Sequence, residues 1–408
     1  MHSRPSAIVY LINTIHTQMD TTFPVEAFQS LHTPFYYYDT GLLQKTLETV
    51  NRHLRRHPSW HMHYAVKANA NPVLLKQISM VGFGADCVSG GEVIRAIENG
   101  FAPESVVFAG VGKSDWEIDT ALERGIGCFN VESESELCVI EERAAAKDTI
   151  APVALRVNPD IGAHTHANIT TGLAENKFGI NLEQLFDVID HALSLPHITF
   201  QGLHFHIGSQ ITDVGDFVAL CNRINTLTAE CNRRGITIHS INVGGGLGVD
   251  YQHPDKCPMA DFDAYFEVFE RHLDLLPSQE LHFELGRAIV APCGSLICRV
   301  LYIKEGTTKR FVIVDGSMTE LIRPALYHAL HLPQNITPGS AERPLLTCDL
   351  VGPVCESSDV FAKAFDLPAC QRGDLIALRT AGAYGETMAS CYNCHPLPAT
   401  YFSHDFSE

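Results

Sequence analysis

A chain of 408 residues is long enough for one large domain and a smaller companion, and its formal net charge of -18 sets most of the surface against nucleic acid. With 45% hydrophobic and 19% charged residues and no apolar run of bilayer length, it reads as a globular protein rather than a membrane one. Thirteen scattered cysteines without an export signal point to free thiols and a cytoplasmic location, not to a disulfide framework.

In chain order, the apolar stretch Ala7–Ile15 is short, is interrupted by Asn13 and has no clear small-residue cleavage site after it. It reads as an extension or a first strand, not a signal peptide. From residue 61 onward, short apolar runs alternate with amphipathic stretches. The predicted strands are His61–Lys67, Ala85–Ser89, Val106–Ala109, Cys128–Val131, Val153–Asn158, Gly202–Ile207, Ile238–Val243 and His282–Glu284. Their near-continuous apolar character suits parallel strands covered on both faces. Helical patterns fall between most of them, at Pro72–Val81, Gly91–Asn99, Trp116–Arg124 and Phe217–Arg234. Gly100, Gly125 and Gly235 stand where a left-handed helix exit is expected. Eight such units over about 225 residues predict a (β/α)8 TIM-like barrel. A doubly wound open sheet is the alternative, because counting elements does not reveal closure.

After about residue 288 the helical rhythm stops. Gly294–Ile303, Arg310–Val314, Leu346–Val351 and Asp374–Arg379 read as strands, and Phe35-Tyr36-Tyr37-Tyr38 could join them. The expected organisation is a barrel over residues 41–287 and a β-rich sandwich- or barrel-like domain from residues 21–40 and 288–408.

The chemically interesting residues gather at the C-terminal ends of the predicted barrel strands, where barrel enzymes place catalysis. Lys67 ends the first strand, Asp86 lies in the second, and His206 and Ser209 stand at the end of the sixth. Gly244, Gly245 and Gly246 stand at the end of the seventh, and Glu284 and Arg287 at the end of the eighth. A lysine closing an apolar strand is expected to have a lowered pKa and a nucleophilic neutral amine. The three glycines miss a dinucleotide fingerprint, because Val249 stands at the last glycine position, but they suit a backbone cradle for phosphate. Gly112-Lys113-Ser114 is no P-loop, with Val107 where the leading glycine should be. The pairs His61/His63, His164/His166 and His204/His206 share a strand face, yet no carboxylate-rich ligand set recurs beside them. Cys391 and Cys394 have no second pair at zinc spacing. No metal is expected.

Ten ordered motifs carry a family resemblance: YAVKAN (64–69), DCVSGGE (86–92), LRVNP (155–159), TGLAENKFGI (171–180), HIGSQ (206–210), GGGLGV (244–249), ELGR (284–287), DGSMTELIRPALY (315–327), GPVCESSD (352–359) and GAYGETMASCYN (382–393). Over roughly residues 24 to 400 the chain resembles the fold-type III pyridoxal-phosphate decarboxylases, and among them the diaminopimelate decarboxylase group.

The resemblance implies pyridoxal 5'-phosphate as cofactor, with Lys67 as its covalent anchor, His206 stacked on its ring and Glu284 at the pyridine nitrogen. It places Asp86, Ser209, Gly244, Gly245, Gly246 and Tyr384 around the cofactor, several of them at its phosphate. It assigns Arg287, Arg323, Tyr327 and Tyr384 to the substrate's distal end, where a guanidinium fork suits a planar carboxylate. Cys355, as proton donor, and Glu356, facing the distal ammonium, would enter from the partner in a homodimer with shared sites. The implied reaction is decarboxylation of meso-2,6-diaminopimelate to L-lysine, the last step of lysine biosynthesis. Another basic amino acid or carboxynorspermidine as substrate, or a catalytically silent regulator, are the alternatives. Lys67, Glu284 and Cys355 are all present, which disfavours the silent one. Leu285, where the family usually has proline, and His395, where it usually has arginine, depart from the pattern.

Overall fold

The computed structural model describes residues 23–161 and 177–406. Ala7–Ile15, the His164/His166 pair and the first part of the 171–180 motif lie outside the described residues.

After β1 (Phe35–Tyr38) come eight strands alternating with helices. They are β2 (Trp60–Ala65), β3 (Gly84–Cys87), β4 (Val106–Phe108), β5 (Cys128–Val131), β6 (Ala151–Arg156), β7 (Ile198–His204), β8 (Ser240–Asn242) and β9 (Glu280–Leu285). Neighbours pair in parallel, and β9 pairs back onto β2 with His61 opposite His282 and His63 opposite Glu284. The sheet is therefore a closed barrel, and the open doubly wound alternative is ruled out. Sequence chemistry sets the helix boundaries. Ser89 and Ser133 accept the backbone N–H groups of Glu92 and Glu136, each at 3.2 Å, at the N-termini of Gly90–Glu98 and Glu134–Ala146. Gly100, Gly125 and Gly235 take φ of 96°, 65° and 76° at the exits, as their positions predict.

β2 stops at Ala65, two residues before the predicted end. Lys67 stands instead on a single tight turn, Val66–Ala68, which lifts its side chain over the barrel mouth.

The second sheet has eight strands. β10 (Gly294–Glu305) is its spine, pairing with β15 (Leu375–Leu378) and β1 near its start and with β11 (Arg310–Val314) further on. β12 (Pro333–Asn335) extends the β15 side; β13 (Leu345–Val351) and β14 (Val360–Pro368) extend the β11 side. β1 runs antiparallel to β10 and parallel to β16 (Ala399–Phe402). Phe28, Phe35, Tyr37, Ile297, Leu375 and Ala377 form an apolar cluster on this sheet.

β1 also links the sheet to the barrel. Tyr38 donates to Glu386 at 2.7 Å, and Asn69 donates to Tyr38 at 2.6 Å and to the Gly382 carbonyl at 2.9 Å. The Tyr384 N–H then donates to the Ala68 carbonyl at 2.8 Å, which fixes Tyr384 beside Lys67. No helix among the described residues is long and apolar enough to cross a membrane.

Candidate active site

A cavity of about 440 Å³ lies where the barrel's C-terminal mouth meets the second sheet. It collects Lys67, Asp86, His206, Ser209, Gly246, Glu284, Arg287, Arg323, Tyr327 and Tyr384, residues drawn from five motifs on the barrel and two beyond it.

Lys67 Nζ donates to Asp86 Oδ2 at 2.7 Å. Burial alone would lower the lysine's pKa, but Asp86, then Tyr384 and Glu284, outweigh it and hold the ammonium above its ordinary range. The expectation of a lowered lysine pKa is thus corrected: the carboxylate in contact outweighs the desolvation. Asp86 is itself pushed up to about 6, by burial and by Glu284, against the pull of Lys67. Its second oxygen, Oδ1, is buried with no hydrogen-bond partner among the described residues.

Glu284, at the end of β9, is gripped by three barrel strands. Asn130 on β5 and Asn242 on β8 donate to Oε1 at 3.0 and 2.7 Å, and His204 on β7 lies 2.9 Å from Oε2. Burial would raise this carboxyl, but His204 dominates, with help from Lys67, so it stays well below the usual carboxylate range. The result is a fixed anion on the pocket floor, with acceptor capacity left on Oε2.

His206, two residues beyond the His204 that grips Glu284, shares its face and accepts the Gly245 N–H at Nδ1, 3.3 Å away. Burial first, then the charges of Arg156 and Lys67, holds its ring well below the ordinary histidine range, and therefore neutral. Gly244 spends its N–H on Asn242 Oδ1 at 2.9 Å. Of the three glycines Gly246 faces the cavity, while Gly244 and Gly245 brace the residues behind it. None has room for a side chain: a Cβ on Gly245 would fall 2.0 Å from the Glu284 carbonyl oxygen.

Two arginines close the other side. Arg287 donates to Tyr251 at 2.7 Å and to Ser209 at 2.9 Å, and its guanidinium lies 4.9 Å from the Tyr384 ring centroid. Arg323 donates to His331 at 3.2 Å and sits 5.6 Å from the Tyr327 ring and 5.7 Å from that of Tyr384. Both are buried, at 6% exposure, and among the described residues neither forms an ion pair with a carboxylate. Burial and the neighbouring Arg287 push the Arg323 pKa down. Arg287, Arg323 and Tyr327 also line an adjoining cavity of about 890 Å³, so the pair stands between two spaces.

Cys355 and Glu356 are not in this pocket. They are exposed: the Cys355 N–H donates to Asn393 at 3.2 Å, and Glu356 accepts from Tyr392 at 2.8 Å. The sequence reading assigned no role to Asn130, Asn242, His204 or Arg156. Arg156, inside the LRVNP motif, donates to Glu132 at 2.7 Å and lies 4.7 Å from the Phe178 ring on the cavity wall. For Asn130 and Arg156 the available signal was a lone polar side chain in an otherwise apolar strand.

A closed barrel carrying a lysine, a fixed carboxylate and a neutral imidazole at its mouth defines a class, and residues 42–291 match the family model "Pyridoxal-dependent decarboxylase, pyridoxal binding domain". The chain belongs to the pyridoxal-dependent decarboxylase family. It is 59% identical to diaminopimelate decarboxylase of Bacteroides thetaiotaomicron, over 94% of this chain and 99% of that protein. It superposes on the crystal structure of diaminopimelate decarboxylase from Helicobacter pylori complexed with L-lysine with a TM-score of 0.87, at 39% identity, covering 93% of this chain and 94% of that one. A lysine/ornithine decarboxylase from Vibrio vulnificus, 24% identical with a TM-score of 0.79 over 94% of this chain and 98% of that one, shares the fold.

Proposed function

We propose that the chain decarboxylates meso-2,6-diaminopimelate to L-lysine and CO2 with pyridoxal phosphate as cofactor. The observation that carries the substrate choice is the buried pair Arg287 and Arg323, which has no acidic partner among the described residues. Two desolvated guanidiniums side by side are costly unless an anion joins them, and a substrate with a second carboxylate supplies one.

The pocket fits the cofactor. Lys67 is the one lysine among its lining residues, Glu284 is a pre-set anion, and the buried orphan oxygen of Asp86 awaits a donor. When bound, pyridoxal phosphate supplies an electrophilic carbonyl and a cationic ring that accepts the electron pair left behind by CO2. Lys67 would hold it covalently, and the proton that Nζ must shed has an acceptor, Asp86 Oδ2, at 2.7 Å. Glu284 would keep a proton on the ring nitrogen, and Asn130, Asn242 and His204 keep that carboxylate oriented and charged. The neutral His206 would cover the ring face, and Gly246 with Ser209 and Tyr384 would hold the phosphate. Arg287, Arg323 and Tyr327 would orient the distal carboxylate, leaving the scissile one toward Lys67.

Cys355 and Glu356 would act across a homodimer, each from the partner chain, as proton donor and as counter-charge to the distal ammonium. Their exposure, away from the pocket of their own chain, supports that reading. The test is CO2 release from meso-diaminopimelate, L-lysine and L-ornithine side by side, with Lys67→Ala as control. Turnover of ornithine or lysine in preference to diaminopimelate would refute the substrate assignment.

A further inference from the structure

At the opposite mouth of the barrel from Lys67, three side chains converge that the decarboxylase site does not use. His61 near the start of β2 lies in register with His282 on β9, their rings 4.9 Å apart, and Glu280 opens β9. Glu280 Oε1 is 3.7 Å from His61 Nε2 and its Oε2 is 3.5 Å from His282 Nε2. The three donor atoms all lie within 4.8 Å of one another. Both Nε2 atoms are buried and make no hydrogen bond among the described residues. A cavity of about 400 Å³ opens onto them and provides a way in.

A hydrogen-bond relay fixes which nitrogen of His282 carries the lone pair. His63 Nδ1 faces the Ser105 carbonyl at 3.0 Å, which only accepts, so that nitrogen carries the proton. In the neutral ring His63 Nε2 is then the acceptor, and it takes the His282 Nδ1 proton at 2.9 Å. In the neutral tautomer of His282 the lone pair therefore sits on Nε2, which faces Glu280 Oε2 at 3.5 Å. A metal-binding histidine is typically oriented in this way, by donating its other N–H to a neighbour.

Most other histidine–carboxylate pairs among the described residues close more tightly, the exposed neighbours His404 and Asp405 at 3.7 Å excepted. His53–Asp263, His57–Glu270, His191–Glu134 and His197–Glu141 all close at 2.8 Å. Around Glu280 the two imidazoles stand back at 3.5 and 3.7 Å, near the edge of a tetrahedron with ~2.05 Å bonds, about 3.3 Å. The Glu280 side chain, 57% exposed, is free to settle inward, and the cavity leaves the fourth position for water.

We propose that His61, His282 and Glu280 form a zinc-type divalent metal site that ties β2 to β9 across the seam where the barrel closes. The site is independent of the decarboxylase assignment. A metal here joins the first and last barrel strands, so it acts on the folded state and not on the chemistry at the far mouth.

The experiment uses cofactor-loaded protein, stripped with chelator and titrated with Zn2+ alone. Its thermal midpoint is expected to rise saturably, with an anomalous scattering peak between His61, Glu280 and His282 in zinc-soaked crystals. Glu280→Gln and His61→Asn are each expected to weaken zinc binding at least tenfold and to abolish the rise, with metal-free decarboxylation unchanged. An equal rise in both variants, or a peak only at the cysteines, would overturn the proposal.

Discussion

Replacing Arg323 by methionine separates substrate capture from folding. Arg323 is buried at 6% exposure, its side chain makes one hydrogen bond among the described residues, to His331 at 3.2 Å, and it has Arg287 as a like-charged neighbour. Removing it costs the His331 contact, about 1 kcal/mol, but relieves a buried cation that has no carboxylate partner among the described residues. The net change in stability is therefore expected to stay within about 1 kcal/mol. Losing one member of a desolvated charge pair with the substrate costs about 2–5 kcal/mol, or about 30- to 5,000-fold in kcat/KM. The assay is steady-state CO2 release from diaminopimelate, alongside a denaturation midpoint and a spectroscopic cofactor titration. If kcat/KM stays within threefold while the midpoint falls sharply, Arg323 is a structural residue. If cofactor affinity falls in parallel with kcat/KM, it holds the phosphate instead.

Glu356→Ala should raise KM for diaminopimelate without altering cofactor affinity. At substrate well below KM, mixing equal amounts of Lys67→Ala and Glu356→Ala chains should restore about a quarter of wild-type activity through mixed dimers with one intact site; no recovery in mixed dimers would place Glu356 in its own chain's site. Acid should destabilise the fold through His63 and His331, both pushed down to about 3 by burial. Between the ordinary value of ~6.5 and about 3 the unfolded chain binds protons that these folded rings refuse. Stability therefore falls with pH across that window, by about 1.4 kcal/mol per unit per ring. A urea midpoint that stays flat from pH 7 to pH 5 would contradict this. In Gly202→Ala the new Cβ would fall 1.9 Å from the Ser240 carbonyl oxygen across the β7–β8 pair. A loss of about 1–3 kcal/mol is expected, with kcat falling as well, since His204 and Asn242 lie two residues further along the same strands; unaltered urea and kinetic curves would argue against it.

The barrel was legible because strands buried on both faces are written in nearly continuous apolar residues, and helix ends in serine and glycine. Strand limits were less so: Ile238–Val243 shrinks to Ser240–Asn242 because pairing with β7 and β9, not propensity, ends it. β14 escaped notice because Ala364, at φ 47°, breaks the two-residue alternation and gives its N–H to Asp349. At the site, Lys67, His206 and Glu284 stood out in dense motifs. Asn130 and Asn242 did not, since each is one polar residue whose purpose emerges only when three strands converge on one carboxylate. The His61/His63 pair went unassigned for a similar reason: its carboxylate, Glu280, arrives from the far end of the barrel sequence.

The parallel pairing of β1 with β16 bears on biosynthesis. The barrel can close once β9 has left the ribosome, but the Phe35–Tyr38 segment must wait for residues 399–402 before its second edge is covered. Until then an aromatic strand edge stays open to other nascent chains, so the interval before residues 399–402 emerge is the stage at which this protein most needs protection from aggregation.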